Sequence, residues 1–217
     1  MRILYEDRSL IAVYKEPGLA VQTKKVTEKD LESILLTYLA GEKRGSGRPE
    51  LYVIHRIDQP VDGIVLFAKN KKAAADLTRQ LTDGSMKKIY RAEVAGTIPS
   101  ESGILEDFLV KDGRRNMSSV VRDPKSNPGA KRAKLLYRKI GENRLEIELF
   151  TGRHHQIRVQ LAHAGMPIVG DRKYGGPPAE RLMLTAYRLC FRNPDSRKFM
   201  EIKIDKNESS MDFDTAL

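Results

Sequence analysis

At 217 residues the chain has room for one sizeable domain or two small ones, and could bury roughly 70% of the surface its unfolded form exposes. Hydrophobic residues make up 40% and charged residues 31%, with a mean hydropathy of −0.47, which excludes disordered and fibrous classes and leaves a globular domain with a real core. No apolar run nears the roughly 20 residues a bilayer span needs. The opening Met1 to Asp7 is interrupted at once by acid and base, which excludes a secretory signal there. Cys190 is the only cysteine, so no intrachain disulfide can form, in keeping with a reducing compartment, and a cytoplasmic location is expected. Its apolar surroundings, Tyr187 to Phe191, suit a packed thiol better than a nucleophile.

A net charge of +10 and a pI near 9.6 favour an anionic partner, nucleic acid before an acidic membrane surface. The charge is uneven. Lys111 to Lys139 holds ten Lys or Arg against two Asp, a local excess that can hold a phosphate backbone without reading its sequence. The stretch from Asp205 to Leu217 holds four acids against Lys206 and reads as an acidic, disordered tail. The rest, 1–204, reads as one domain.

In chain order, Ile3 to Tyr5 and Leu10 to Tyr14 read as strands around the polar turn Glu6 to Ser9, followed by a Lys15-Glu16-Pro17-Gly18 turn that feeds Leu19 to Gln22. Asp30 to Ala40 places apolar residues at 31, 34, 35, 38 and 39, the spacing of one helical face. A Gly-rich charged loop, Glu42 to Glu50, leads to Leu51 to Ile54; it lacks the third glycine and the setting of a nucleotide-binding loop. Ile64 to Ala68 is a buried strand by its uninterrupted apolar run. Asn70 can cap a helix from Lys71 to Thr82 that turns Ala74, Leu77 and Leu81 inward and stops at Gly84.

Lys87 to Ala95 reads as a strand, and Ile104 to Val110 and Met117 to Val121 as two short ones before an exposed basic loop, Arg122 to Lys134. Leu135 to Tyr137 and Leu145 to Phe150 form a further antiparallel pair, the second alternating apolar and acidic residues. Thr151 can cap a helix with Ile157, Leu161 and Ala164 inward and Gly165 as its stop, which puts Arg153 in the first turn, where a cation opposes the helix dipole. His155 and His163 would lie about 12 Å apart along that helix, too far for one metal ion, so structural or RNA-contacting histidines are expected. Leu189 to Phe191 and Phe199 to Ile204 close the sheet around a turn at Asn193 to Ser196.

The chemistry concentrates at His55-Arg56-Ile57-Asp58, just before the buried strand. Gln59-Pro60 and Asp62-Gly63 are turn chemistry, so Asp58 sits on a bent loop whose backbone a core strand anchors. That sequence, Gly63 five residues on and an apolar run ending Ala68-Lys69 resemble the catalytic signature of the RluA-type pseudouridine synthases. Three further stretches resemble the same family: Lys88-Ile89-Tyr90-Arg91-Ala92, Thr151-Gly152-Arg153-His154-His155-Gln156-Ile157-Arg158, and Arg181-Leu182-Met183-Leu184-Thr185-Ala186. The chain departs from the usual pattern at Glu16, Val61, Asp62, Gln160 and Thr185. Asp62 would raise the pKa of Asp58 if it pointed inward, but a loop Asp beside Gly is expected to face water. With strand one read at residue 3, the small S4-type RNA-binding module that many relatives carry is not expected before it.

The resemblance implies an α+β fold with a mixed, mainly antiparallel sheet, flanking helices and a central cleft. It implies isomerisation of a uridine in structured rRNA or tRNA, with no cofactor or metal, by a monomer whose partner is RNA. Asp58 would be the indispensable carboxylate, Arg153 its ion-pair partner, and Tyr90 and Leu184 the groups that sandwich the uracil; Arg56, His55, Gln156 and Arg181 would be further substrate contacts. An ion pair at about 4 Å and an effective dielectric near 20 interacts by roughly 4 kcal/mol before desolvation. The alternative is a non-catalytic RNA-binding or ribosome-assembly protein on the same scaffold, which charge and fold alone permit.

Overall fold

A computed structural model describes residues 1–25, 27–42 and 49–204. The acidic tail and most of the Gly-rich loop lie outside the described residues. The fold is α+β, with a mixed, mainly antiparallel set of strands and, among the described residues, three helices. The chain forms two compact units, the first from Met1–Lys87 with the chain from Ala186 on, the second from Lys88–Thr185.

In the first unit, β1 (Arg2–Glu6) and β2 (Leu10–Lys15) form the expected hairpin. Its turn is stapled by Asp7, whose Oδ1 accepts from the Ser9 and Leu10 N–H groups at 2.8 and 2.9 Å. The central strand is β4 (Asp62–Ala68), buried at every residue and antiparallel to β2 in the register Tyr14↔Ile64 and Lys15↔Gly63. The order runs β1-β2-β4-β10, where β10 is Leu184–Arg192; β3 (Tyr52–Val53) pairs with β4 and β11 (Phe199–Lys203) with β10. Residues 19–22 form a loop, and α1 (Leu31–Glu42) follows as the apolar spacing predicts.

α2 (Lys71–Asp83) is framed as its caps predict. The Asn70 side chain accepts from the Ala73 N–H and Gly84 closes the helix in the left-handed region. It buries Ala73, Leu77 and Gln80, while Ala74 and Leu81 are only partly covered, so the inward face lies slightly round from the predicted one. Gln80 is buried because its amide is satisfied: Nε2 donates to the Arg192 carbonyl and Oε1 accepts from the Arg192 N–H, both at 2.8 Å. The core beneath is Leu10, Ala12, Ile64, Leu66, Leu77, Leu189 and Phe191 with their neighbours.

In the second unit the order is β5-β9-β8-β6-β7, with β5 at Lys87–Glu93, β6 at Ser102–Asp112, β7 at Met117–Val121, β8 at Lys131–Gly141 and β9 at Arg144–Leu149. The strands are longer than the sequence suggests. Lys131 to Lys134, expected as loop, begin β8, because their pairing with β6 and the burial of Ala133 outweigh the charge of their neighbours. α3 (Gln156–His163) lays Val159 on Leu109 and Ala133.

Candidate active site

In the first unit, Asp58 stands half-buried in the loop before β4, and the backbone around it is fastened on several sides. The Val61 N–H donates to the Asp58 carbonyl at 3.0 Å, closing the Gln59-Pro60 turn. Gln59 is stitched to the 16–18 turn: the Gly18 N–H donates to its carbonyl and its own Nε2 donates to the Gly18 carbonyl, both at 2.9 Å.

Behind this seam lies Lys15, fully buried at the end of β2. Its ammonium has three protons and meets three carbonyls, those of Glu16, Leu19 and Gln59, at 3.0, 2.8 and 3.0 Å. Burial pulls its pKa down to about 8, against the opposing attraction of Asp62, Asp58 and Glu16. A lone buried ammonium would cost several kcal/mol, and the facing carboxylates are what make this one tolerable.

Asp62 is the first correction. It was expected to face water, yet it is fully buried at the start of β4 and accepts the Tyr14 hydroxyl proton at 2.7 Å. The reason is its partners: a carboxylate that faces Lys15 and takes a phenol proton loses less by burial than one in an apolar pocket. Neither Tyr14 nor the buried state of Lys15 could be read from the chain, because both follow from the β2–β4 register; a lysine ending an apolar run at a turn was the only hint.

Gly63 has a φ of +124°, and a Cβ there would lie 2.3 Å from the Ala186 carbonyl oxygen. The glycine five residues after Asp58 is thus imposed by backbone packing. His55 is buried, its Nε2 accepting from the Leu66 N–H at 3.3 Å, so it fastens the loop to β4, whereas Arg56 is exposed.

The second unit holds Tyr90, Arg153, Gln156, Arg181 and Leu184. Tyr90 is buried in β5 opposite Ile147, and Leu184, also buried, opens β10. Arg181 and Lys88 are half-buried. Burial lowers the Lys88 pKa, and its Nζ lies 3.4 Å from where a Cβ on Gly152 would stand, so that the motif glycine leaves room for this lysine.

The motif around Arg153 differs from its expected form. Thr151 does not cap a helix. His155 adopts a left-handed conformation (φ 53°) and α3 begins only at Gln156, so Arg153 lies on an exposed loop, outside the helix dipole. The organiser is Gln156, whose Oε1 accepts from the Thr151 hydroxyl at 2.7 Å and the Arg153 N–H at 3.0 Å. Its Nε2 donates to the Lys134 carbonyl and to Gln160 Oε1. The Arg153 Nε then donates to the Arg132 carbonyl at 2.9 Å. Gln160 is fully buried, donating to Asp107 Oδ2 at 2.7 Å, so its departure from the usual pattern is absorbed by a partner on β6.

Beside the loop, Tyr174, which the sequence left without a role, takes the Ser118 N–H at 2.8 Å and lies 2.9 Å from His155 Nδ1. The pair joins the motif loop to the 170–175 turn. Burial, then the charges of Arg158 and His154, keep His155 neutral by lowering its pKa to about 3. Arg158 is locked by a bidentate pair with buried Asp171, at 2.7 and 2.8 Å.

The family model described as RNA pseudouridylate synthase matches residues 9–163, and the chain belongs to that family. It is 32% identical over 208 residues to the ribosomal large subunit pseudouridine synthase D of Neisseria meningitidis, with 89% of this chain and 55% of that protein covered. It is 31% identical over 203 residues to the dual-specificity RNA pseudouridine synthase RluA of Vibrio vulnificus, with 89% and 78% covered. The chain thus spans about half the length of the Neisseria relative. The fold is that of human RNA pseudouridylate synthase domain containing 1, with a TM-score of 0.75, 20% identity, and 96% of this chain and 86% of that one covered. No helix among the described residues is long and apolar enough to cross a membrane.

Proposed function

We propose that this protein is an RNA pseudouridine synthase that isomerises a uridine in structured rRNA or tRNA, with Asp58 as its essential carboxylate. The observation that carries the reading is the mounting of Asp58. Lys15, Gln59 and Gly63 fix its loop, inside the matched family segment, far more tightly than a solvated turn requires.

The reaction breaks the N1–C1′ bond, forms a C5–C1′ bond, and moves the C5 proton out as N1 gains one; nothing else is consumed. Breaking the glycosidic bond needs a carboxylate that attacks C1′, adds at C6, or takes the C2′ proton, and Asp58 is assigned that part. Arg153 is its counter-charge. Tyr90 and Leu184 hold the detached uracil so that it turns before it escapes, and Tyr90 is the group assigned to the C5 proton. Arg56 and Arg181 hold phosphates, while His55 and Gln156 act by fixing the two loops. The target base must leave its stack, at a cost of a few kcal/mol, which the basic 111–139 segment offsets by phosphate contacts.

The test is transcriptome-wide pseudouridine mapping in a deletion strain complemented with wild-type or Asp58→Asn protein. Sites that return with the wild type and stay uridine with the variant support the reading and name the substrate. A map unchanged by the deletion refutes it.

A further inference from the structure

The second unit carries 18 Lys or Arg against 11 Asp or Glu, seven of the chain's ten net positive charges. The face of its sheet that turns away from α3 is unusual. Leu109 and Leu149 point toward the core and are buried, but their neighbours Phe108 and Phe150 are 36% and 48% exposed. The two rings share that outer face. Phe108 pairs with Arg132 across β6 and β8, and the Phe150 N–H donates to the Lys134 carbonyl, so phenylalanines flank the Arg132 and Lys134 side chains on β8. Strand spacing and rise put the two phenylalanines about 12 Å apart, enough for each ring to take its own base.

The cations are already oriented on this face. Arg132 donates to Glu106 Oε1 at 2.6 Å, Lys134 lies 3.7 Å from Glu106 Oε2, and the Lys134 ammonium stands 5.8 Å over the Phe150 ring. One carboxylate serves two cations, which leaves positive charge to spare. The Arg132 carbonyl also receives the Arg153 Nε, so the face continues directly into the motif loop. Isolated exposed apolar residues need no explanation, but two aromatic rings interleaved with cations on one sheet face have the chemistry of a single-stranded nucleic-acid platform.

We propose that Phe108 and Phe150, with Arg132 and Lys134 between them, form a stacking surface for unpaired RNA bases flanking the target nucleotide. The proposal rests on the reading that RNA is the partner. It assigns bases to the rings and phosphates to the cations, and it gives affinity without sequence choice.

The experiment measures anisotropy of a labelled, unstructured oligouridylate with wild-type, Phe108→Ala, Phe150→Ala, Phe150→Leu and Phe150→Trp proteins, together with kcat and KM on substrate RNA. Each Ala variant should weaken binding by roughly 5- to 150-fold, the loss of one stacked base. Trp should restore it, Leu should not, and kcat at saturating RNA should stay at the wild-type value. Ala variants that bind RNA as tightly as wild type, or a Leu variant that rescues as well as Trp, overturn the proposal. So does a change in sedimentation without a change in RNA affinity, which would make the face a protein contact. If the wild type binds through these rings but isomerises nothing, the surface stands and the catalytic reading falls. If the wild type isomerises uridine and the variants match it in affinity, the reverse holds.

Discussion

Asp58 and Arg153 both stand on short loops beside a strand or helix end, yet the two loops are held by opposite means. The Asp58 loop is fixed by buried charge: Lys15 binds three carbonyls, and Asp62 faces it while taking the Tyr14 proton. The Arg153 loop is fixed by neutral amides and hydroxyls, with Gln156 joining Thr151, Arg153 and Lys134, and by the uncharged His155 next to it. The difference has a physical sense. A buried cation behind a carboxylate lends it favourable potential as well as rigidity, whereas one behind a guanidinium would repel it, so there the loop's own contacts are neutral and the nearby Arg158 is paired with Asp171.

The contrast can be broken first at Lys15. Lys15→Met removes the ammonium that serves three carbonyls and attracts Asp62, and should destabilise by about 3–5 kcal/mol. Urea unfolding would show it, and a loss under 1 kcal/mol would mean that the buried charge is incidental. Next is Gly63→Ala, whose Cβ would meet the Ala186 backbone; the strand must shift, at a cost of about 1–3 kcal/mol, with the shift passed to Asp58. Thermal melting and kcat on substrate RNA should fall together.

Gln156→Leu tests the neutral side. It leaves the Arg153 N–H without its acceptor and the Thr151 hydroxyl with only the 3.4 Å contact to the Lys134 carbonyl, and should cost about 1–3 kcal/mol, with kcat lowered more than stability alone explains. The smallest effect per step of change is a slope with pH. His155 has a folded pKa near 3 against an ordinary value of 6.5, so its contribution is complete above pH 6.5 and is lost as pH falls toward 3. In that window stability should drop by up to about 1.4 kcal/mol per pH unit, and His155→Leu should flatten the profile. Equal slopes in both proteins would remove His155 from the account.

Much of this was legible in the chain. Hydrophobic runs located β2 and β4, capping residues framed α2 to within a residue, and the family resemblance made Asp58 and Arg153 candidates. What escaped shares one cause. The burial of Lys15 and Asp62, the role of Tyr174 and the extension of β8 into a basic stretch depend on partners brought up by strand register from far along the sequence, and local propensity carries no record of them. The helix expected from Thr151 failed for a local reason: the backbone turns left-handed at His155, a conformation that nothing about a histidine demands.

The central claim is that Asp58 carries out uridine isomerisation. Because the new bond forms at C5, RNA tritiated at the uridine C5 releases its label only when pseudouridine is made. The account predicts release by the wild-type protein and none by Asp58→Asn, with RNA affinity within about twofold of wild type. Release by both proteins, or by neither, would contradict it.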